Sequence, residues 1–393
     1  MSSHLFVVNN DTFGIHLQNN FLGVVRAKKN TLRGPNSAYY GQLADLMNVR
    51  KGDVAFLYLN FVSRDKLLWP ENKFEAGYHG IYKIKSEPFI DERDVSGIGQ
   101  LNGQFIFGNN ESEIYKNAIS QEKFASVLPV RMLIEPMTGL NYAKNVDDTT
   151  AYVDKTDEGQ LWTLLFKKIY KAGLARGITP LLPEEASKVA RLLFKANQIP
   201  LSENISLSNL ESRNYPFEIG QPLNIDLEPS PNDSETVRIE NMLVAWIMQN
   251  IDENIPVLDE LVGKKEDLEF RGNHIQYGIS GDTVDILLLH RRKINGIEYR
   301  YKATVIEVKK DKINEDNVDQ ALRYTKWIAQ LVTFNNISAI QPVVIGKYPN
   351  GRQVEKIKAK IKNLNDKGIR TPIFIEYKLH GTEKFTFSKF ELQ

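Results

Sequence analysis

Cysteine is absent from the 393 residues. That removes disulfides, thiolate zinc sites and thiol nucleophiles in one step, and fits a cytoplasmic protein. An excess of charge of either sign is also missing: 50 Lys and Arg face 49 Asp and Glu, a formal net charge of +1. The simplest footprint of a nucleic-acid binder, an overall basic balance, is therefore excluded, and any DNA contact must come from local patches. No stretch approaches the roughly 18 uninterrupted apolar residues of a membrane span. Residues 1–14 have no basic start followed by an apolar run, so neither membrane attachment nor a signal peptide is expected. The six histidines, His4, His16, His79, His274, His290 and His380, show no metal-ligand spacing, which argues against HNH or zinc chemistry.

What remains is ordinary globular material, 42% hydrophobic and 10% aromatic, long enough for two or three domains at roughly 150 residues each. The clearest break is Leu227-Glu228-Pro229-Ser230-Pro231-Asn232-Asp233-Ser234, polar and proline-containing, which can continue neither a helix nor a central strand. The looser stretch 200–216 precedes it. The expected division is a domain over 1–150, a helical extension over 151–216, a linker over 217–233 and a second domain over 234–393. The last carries 25 basic and 22 acidic residues, a weak local excess.

Residues 4–8, 53–59 and 79–84 have strand character and 36–48 helical character. Leu161, Leu164, Leu165 and Ile169 fall at helical spacing, and Pro183-Glu184-Glu185 has the composition of a helix start. After the break, Ser234-Glu235-Thr236-Val237-Arg238 predicts a helix opening with a capping residue, with Ile239, Met242, Leu243, Trp246 and Ile247 as its apolar stripe. Strands at 284–290 and 303–308 are joined by a basic hairpin turning at Asn295-Gly296. A helix over 315–333, a strand at 342–345, a Lys-rich helix near 352–363 and strands near 372–377 and 384–390 complete an α/β pattern.

Within it, Asp285 heads a strand of continuous Ile and Leu, and Glu307 and Lys309 stand two apart on the next, facing the same side. Charges inside apolar strands are costly unless paired or bound to a metal. One Asp, one Glu and one Lys brought together would suit Mg²⁺, a hard cation that takes oxygen ligands and keeps waters. The lysine could orient or help deprotonate a water, or stabilise charge on a phosphate. A surface ion pair between Glu307 and Lys309 is the plain alternative. Asp282 competes with Asp285, though its neighbour Gly281 suggests a turn residue.

Asp285 followed by Glu307-Val308-Lys309 resembles the PD-(D/E)xK nuclease superfamily, with Val284 where proline often stands. Gln320-Ala321-Leu322-Arg323-Tyr324 is similar to the Gln-x-x-x-Tyr element of its RecB-like members. Ser234-Glu235 and Ile239-Glu240 resemble the opening helix of the NucS-type mismatch-endonuclease branch. The likeness covers residues 234–348. It implies an α/β fold, a restriction-endonuclease-like core with a mixed sheet flanked by helices. Asp285 and Glu307 would ligate Mg²⁺, or Mn²⁺ as a substitute. Lys309 would be catalytic, Gln320 and Tyr324 would support the site, and Glu240 is either a further ligand or an exposed helix glutamate. Arg291, Arg292, Lys293, Lys310, Lys312, Arg323 and Lys326 are candidates for DNA backbone phosphates, whereas Lys356, Lys358, Lys360 and Lys362 fit a solvated helix face.

In the N-terminal part, the run from Arg50-Lys51-Gly52-Asp53 to Tyr58, then Gly80-Ile81 leading to Ser86-Glu87-Pro88, resembles EVE and YTH domains of the PUA-like fold. That likeness implies an α+β barrel reading a modified base between aromatic rings, with Asn9 or Asn10 on the base edge. Tyr39, Tyr40, Tyr58, Phe61, Trp69 and Tyr78 are the candidate aromatics, and each fits a core position as well. Three functions stand: a modification-dependent DNA endonuclease of restriction or defence type, a structure- or mismatch-specific repair nuclease, and an inactive nucleic-acid-binding protein. The partner in all three is nucleic acid, double-stranded DNA in the first two, and cutting both strands would favour a homodimer.

Overall fold

The structure, a computed structural model, describes residues 2–8, 13, 16–17, 19–24, 29–31, 34–59, 77–91, 128, 130–137, 177–197, 214–215, 218–276 and 282–392. The chain forms two units, one from Met1–Lys29 with Val49–Asn224, the other from Asn30–Asn48 with Ile225–Gln393. Both mix helices and sheets. No helix among the described residues is long and apolar enough to cross a membrane.

In the first unit, Ser3–Val8 pairs in parallel with Val54–Leu59 and antiparallel with Ile178–Leu181. The sheet continues from Val54–Leu59 through Gly77–Ile84 to Val130–Pro136, and curls into a half-barrel. Leu5, Phe56, Tyr58, Tyr78, Ile81 and Leu181 form a core with Ala186, Val189, Leu192 and Leu193 of the helix Pro183–Asn197. The Lys-Gly-Asp turn has a plain structural use. Gly52 takes a φ of +98°, and the buried Asp53 carboxylate accepts Ser2 N at 2.8 Å and Arg50 N at 3.0 Å and bonds His4 Nε2 at 2.9 Å. One carboxylate thus pins the first strand to the turn before its parallel neighbour. Ser86 Oγ accepts Leu133 N at 2.9 Å and Glu87 Oε1 accepts Lys51 N at 3.1 Å.

The second unit is built on α1 (Ser37–Met47), α2 (Glu240–Asn250), β1 (Leu268–Gln276), β2 (Thr283–Ile294), β3 (Ile297–Lys312), α3 (Glu315–Val332), β4 (Ile340–Lys347), α4 (Gly351–Ile361), β5 (Ile373–His380) and β6 (Lys384–Phe390). The sheet runs β1 to β6 in order. It is parallel between β3 and β4 and between β4 and β5, and antiparallel elsewhere. Parallel neighbours need a crossover, supplied by α3 and α4. Asn314 and Asn317 close a reciprocal capping box at the start of α3. Asn295 and Gly296 take φ of 51° and 85°, as a two-residue hairpin with right-handed strands requires. Ile286, Leu287, Leu288, Val305 and Ile306 have no exposed surface.

Several expectations shift. The helix foreseen from Ser234 begins at Glu240; Asp233–Val237 is a strand paired with Pro229–Ser230. Asp233 takes Glu235 N at 3.0 Å and Thr236 Oγ1 at 2.5 Å, so the polar run closes a turn, and β-branched Thr236 and Val237 extend from it. The stretch 217–233 is more than a linker: Gln221–Pro222 adds an edge strand beside Phe89–Ile90 in the first unit, and Leu227 is buried in the second. The stretch 151–216 supplies the strand Ile178–Leu181 as well as a helix, while Leu161, Leu164, Leu165 and Ile169 lie outside the described residues. Residues 30–48 belong to the second unit despite their place in the N-terminal part.

Asp53→Ala should lower the unfolding free energy by about 2–4 kcal/mol, because it strands buried donors. Denaturant unfolding measures this, and a loss under about 0.5 kcal/mol would contradict the pinning role.

Candidate active site

The register Ile286↔Ile306 sets Asp285 directly across the β2–β3 ladder from Glu307, on one face. Asp285 Oδ2 is fixed by Val308 N at 2.8 Å. Lys309, two residues beyond Glu307, returns to the same face. Its Nζ lies 2.6 Å from Glu307 Oε1, 3.3 Å from Glu240 Oε1 and 4.0 Å from Asp285 Oδ2. Glu240, the first residue of α2, also accepts Lys310 N through Oε2 at 3.3 Å. On α3, Gln320 Nε2 donates to Tyr324 OH at 2.8 Å. All six side chains singled out in the sequence thus belong to one unit. Asp285, Glu307, Glu240 and Lys309 meet directly.

Burial decides the electrostatics. Glu307 has no exposed surface, and desolvation, reinforced by Asp285, pushes its carboxyl up to about 9 despite Lys309. Lys309 Nζ approaches Glu307 Oε1 at 2.6 Å, and beyond that contact the Glu307 oxygens have no hydrogen-bond partner among the described residues. Burial works to lower Lys309, but Asp285, Glu307 and Glu240 outweigh it and hold the ammonium above its ordinary range. Burial, joined by Glu307, Asp282 and Asp285, pushes the Tyr324 phenol up to about 12.

Among the described residues no three His, Asp or Glu side chains are disposed as a metal site by themselves; the carboxylates are gathered around the lysine instead. The buried Glu307 carboxyl beside Asp285 would nevertheless suit a hard divalent cation, which commonly takes one or two carboxylates and water.

No family model and no curated protein matches the chain. Among solved structures, a Pseudomonas putida protein known from an X-ray crystal structure is similar over 49% of this chain and 99% of its own. The identity is 14% and the TM-score 0.26, a likeness that carries no argument.

The remaining candidates divide. Arg291 Nη1 donates to Glu298 at 2.8 Å and its other nitrogen pairs with Glu269; Arg292 donates to Asp267 at 2.8 Å and stacks on Tyr301 at 4.2 Å. Their guanidiniums are engaged, and strand rise puts Arg291 about 20 Å along β2 from Asp285. Lys293 is exposed on the same arm. Lys310 lies beside the site, with Nζ 3.9 Å from Asp311. Lys312, Arg323 and Lys326 are exposed and have no ion-pair partner among the described residues. In the first unit, Tyr58 is a core residue, 1% exposed, meeting Tyr78 edge-on at 5.1 Å. Tyr39 and Tyr40 are buried on α1, in the second unit. Asn9, Asn10, Phe61 and Trp69 lie outside the described residues.

Sequence reasoning passed over β1. Its Asn273 and His274 are buried and polar, and Asn273 Nδ2 donates to Asp45 Oδ1 at 2.8 Å. Polar side chains in a strand that pairs with an apolar one were the available signal.

The raised Glu307 carboxyl has a stability consequence with a definite sign. Between the ordinary 4.5 and about 9, the folded chain holds a proton that the unfolded chain has lost. Its contribution is full below 4.5 and is lost as pH rises through that window, at up to about 1.4 kcal/mol per pH unit. In chelator, urea unfolding of Glu307→Gln should show a flatter decline between pH 5 and 9 than the parent. Identical slopes would remove the claim.

Proposed function

We propose that the second unit hydrolyses phosphodiester bonds in DNA with Mg²⁺, and that the chain is a modification-dependent endonuclease of restriction or defence type. The carrying observation is the fully buried Glu307, its oxygens partnered by little beyond Lys309 and set against Asp285. The modified-base part of the reading comes from the EVE- and YTH-like segments of the first unit.

Asp285 and Glu307 would hold the metal, with Glu240 the available third carboxylate. Bound Mg²⁺ would polarise a phosphate oxygen and acidify a water. Lys309, kept protonated by its carboxylate neighbours, acts as a fixed positive charge toward the phosphate and not as a base. Tyr324 and Gln320 hold each other in place on α3. In the hydrolysis itself, water oxygen bonds to phosphorus, the phosphorus–ester oxygen bond breaks, and the departing oxygen takes a proton. Lys312, Arg323 and Lys326 are the cations available for flanking phosphates, and double-strand cutting would engage two copies.

A digest of methylated, hydroxymethylated and unmodified duplexes with Mg²⁺ tests the reading. Cutting should favour a modified duplex and stop in chelator; equal cutting of all three would end the reader claim and leave the nuclease. Asp285→Asn, Glu307→Gln and Lys309→Met should each lose activity on the order of 10²–10³-fold, and full activity in all three would remove the site. Arg323→Ala should lower the salt slope of DNA binding by about one, and Arg292→Ala should leave it unchanged. The reverse pattern, read by binding titrations at several salt concentrations, would relocate the DNA path.

A further inference from the structure

Glu240 stands at the first turn of α2, and that turn lacks the usual anchor. The residue before it, Ile239, offers no side-chain cap to the helix amides. The next residue, Asn241, is gripped from two sides instead. Its Nδ2 donates to Ser37 O and Ser37 Oγ at 3.0 Å each, and its Oδ1 faces His274 Nε2 at 3.4 Å. On the other side of the imidazole, Asn273 Nδ2 lies 2.8 Å from Nδ1 and also donates to Asp45 Oδ1 at 2.8 Å. The amide of Asn273 can only donate, so Nδ1 accepts and Nε2 carries the proton toward Asn241. The chain of bonds runs from a buried carboxylate on α1, through two residues of β1, to the residue beside Glu240.

His274 is also the anomaly of its strand. It takes a φ of +51°, the left-handed region that L side chains rarely enter. Such a conformation persists only where its surroundings over-determine it, and it concentrates at functional sites. The register Asn273↔Ile286 places His274 beside Asp285 across the β1–β2 ladder, and Asp285 lies beside Glu307. The strained residue therefore occupies the third strand of the same row.

We infer that His274, held by Asp45 through Asn273, is a positioning residue that sets the Glu240 carboxylate at the metal centre through Asn241. A merely satisfied core histidine would account for the burial. It would not account for a left-handed backbone retained in the row of Asp285 and Glu307, with its proton aimed at the neighbour of Glu240. The inference rests on reading Asp285, Glu307 and Lys309 as a metal centre, and the test separates the two.

The experiment measures Mg²⁺ binding to the full chain by titration calorimetry, with the Mg²⁺ midpoint of cleavage as a second readout. Glu240→Gln and His274→Ala should each weaken Mg²⁺ about tenfold. The double variant should be no weaker than Glu240→Gln alone, because both remove one interaction. His274→Gln, which restores a donor near the Nε2 position, should recover much of the loss. Asn241→Ala should reproduce it at a site less buried than His274, which keeps the test decisive if His274→Ala does not fold. Additive losses in the double variant, unchanged binding in Asn241→Ala, or a Glu240→Gln without effect would overturn the positioning role while leaving the metal centre. Asp285→Asn binding Mg²⁺ as tightly as the parent would instead overturn the metal centre, and the positioning role with it.

Discussion

A carboxylate with no exposed surface is placed at Glu307, on a sheet face it shares with the buried Leu287, Val305 and Val344. Little around it offers a hydrogen bond. Charge in such a place is relieved by a proton, by a neighbouring cation or by a metal. The first two are visible in the raised carboxyl and in Lys309 at 2.6 Å. Asp285 works against the proton-free state, since a second carboxylate stands across the ladder and is fixed there by Val308 N. Two carboxylates and one lysine leave an excess of negative charge once Glu307 ionises. On the proposed reading, a divalent cation would offset that excess.

The architecture of the second unit follows from keeping that group buried while giving it neighbours. The parallel pairing of β3 with β4 requires α3 as a crossover, and the crossover lays Tyr324 where Glu307 and Asp285 act on its phenol. Glu240 reaches Lys309 from the start of α2, a helix packed on α1. α1 is itself bound along its length: Ser37 to Asn241, Asp45 to Asn273, and Asn48 to Arg271. A segment from the N-terminal part of the chain thus splints the helix that presents a candidate ligand.

These long-range bonds mark the limit of what the sequence discloses. Asp285, Glu307 and Lys309 could be read because each is a charge on an apolar strand, and the Asn295-Gly296 turn makes those strands neighbours; the register shift between His290 and Arg291, which sets Asp285 opposite Glu307, has no signal in the sequence. The α3 face and its Gln320–Tyr324 pair follow from helical periodicity. β1 stayed hidden because key polar partners lie more than 200 positions away, Asp45 for Asn273 and Asn48 for Arg271, and no local pattern encodes that. The start of α2 was misplaced because Ser234 has the composition of a cap, while Asp233 satisfies the local donors in a turn. Tyr58 alternates as a strand residue should, and its face packs on the helix Pro183–Asn197.

The near-neutral net charge acquires a physical meaning at the surface. Arginines of the hairpin arm are paired with Asp267, Glu269 and Glu298, and lysines of α4 with Glu315 and Asp319. Apart from the buried Arg300–Glu269 pair, these are exposed to differing degrees, and exposed pairs contribute little stability. Their consequence is to cancel the field these cations would otherwise project. Long-range attraction of a polyanion is then weak, and steering of the kind that a basic stripe provides is not available. If the proposed nuclease reading holds, phosphate contact would fall to cations near α3, Lys312, Arg323 and Lys326, close in sequence to Gln320 and Tyr324. On the proposed reading, affinity would be gained mainly when the scissile phosphate meets the metal and Lys309. Binding and chemistry would then depend on the same few charges, with the buried Glu307 central to both.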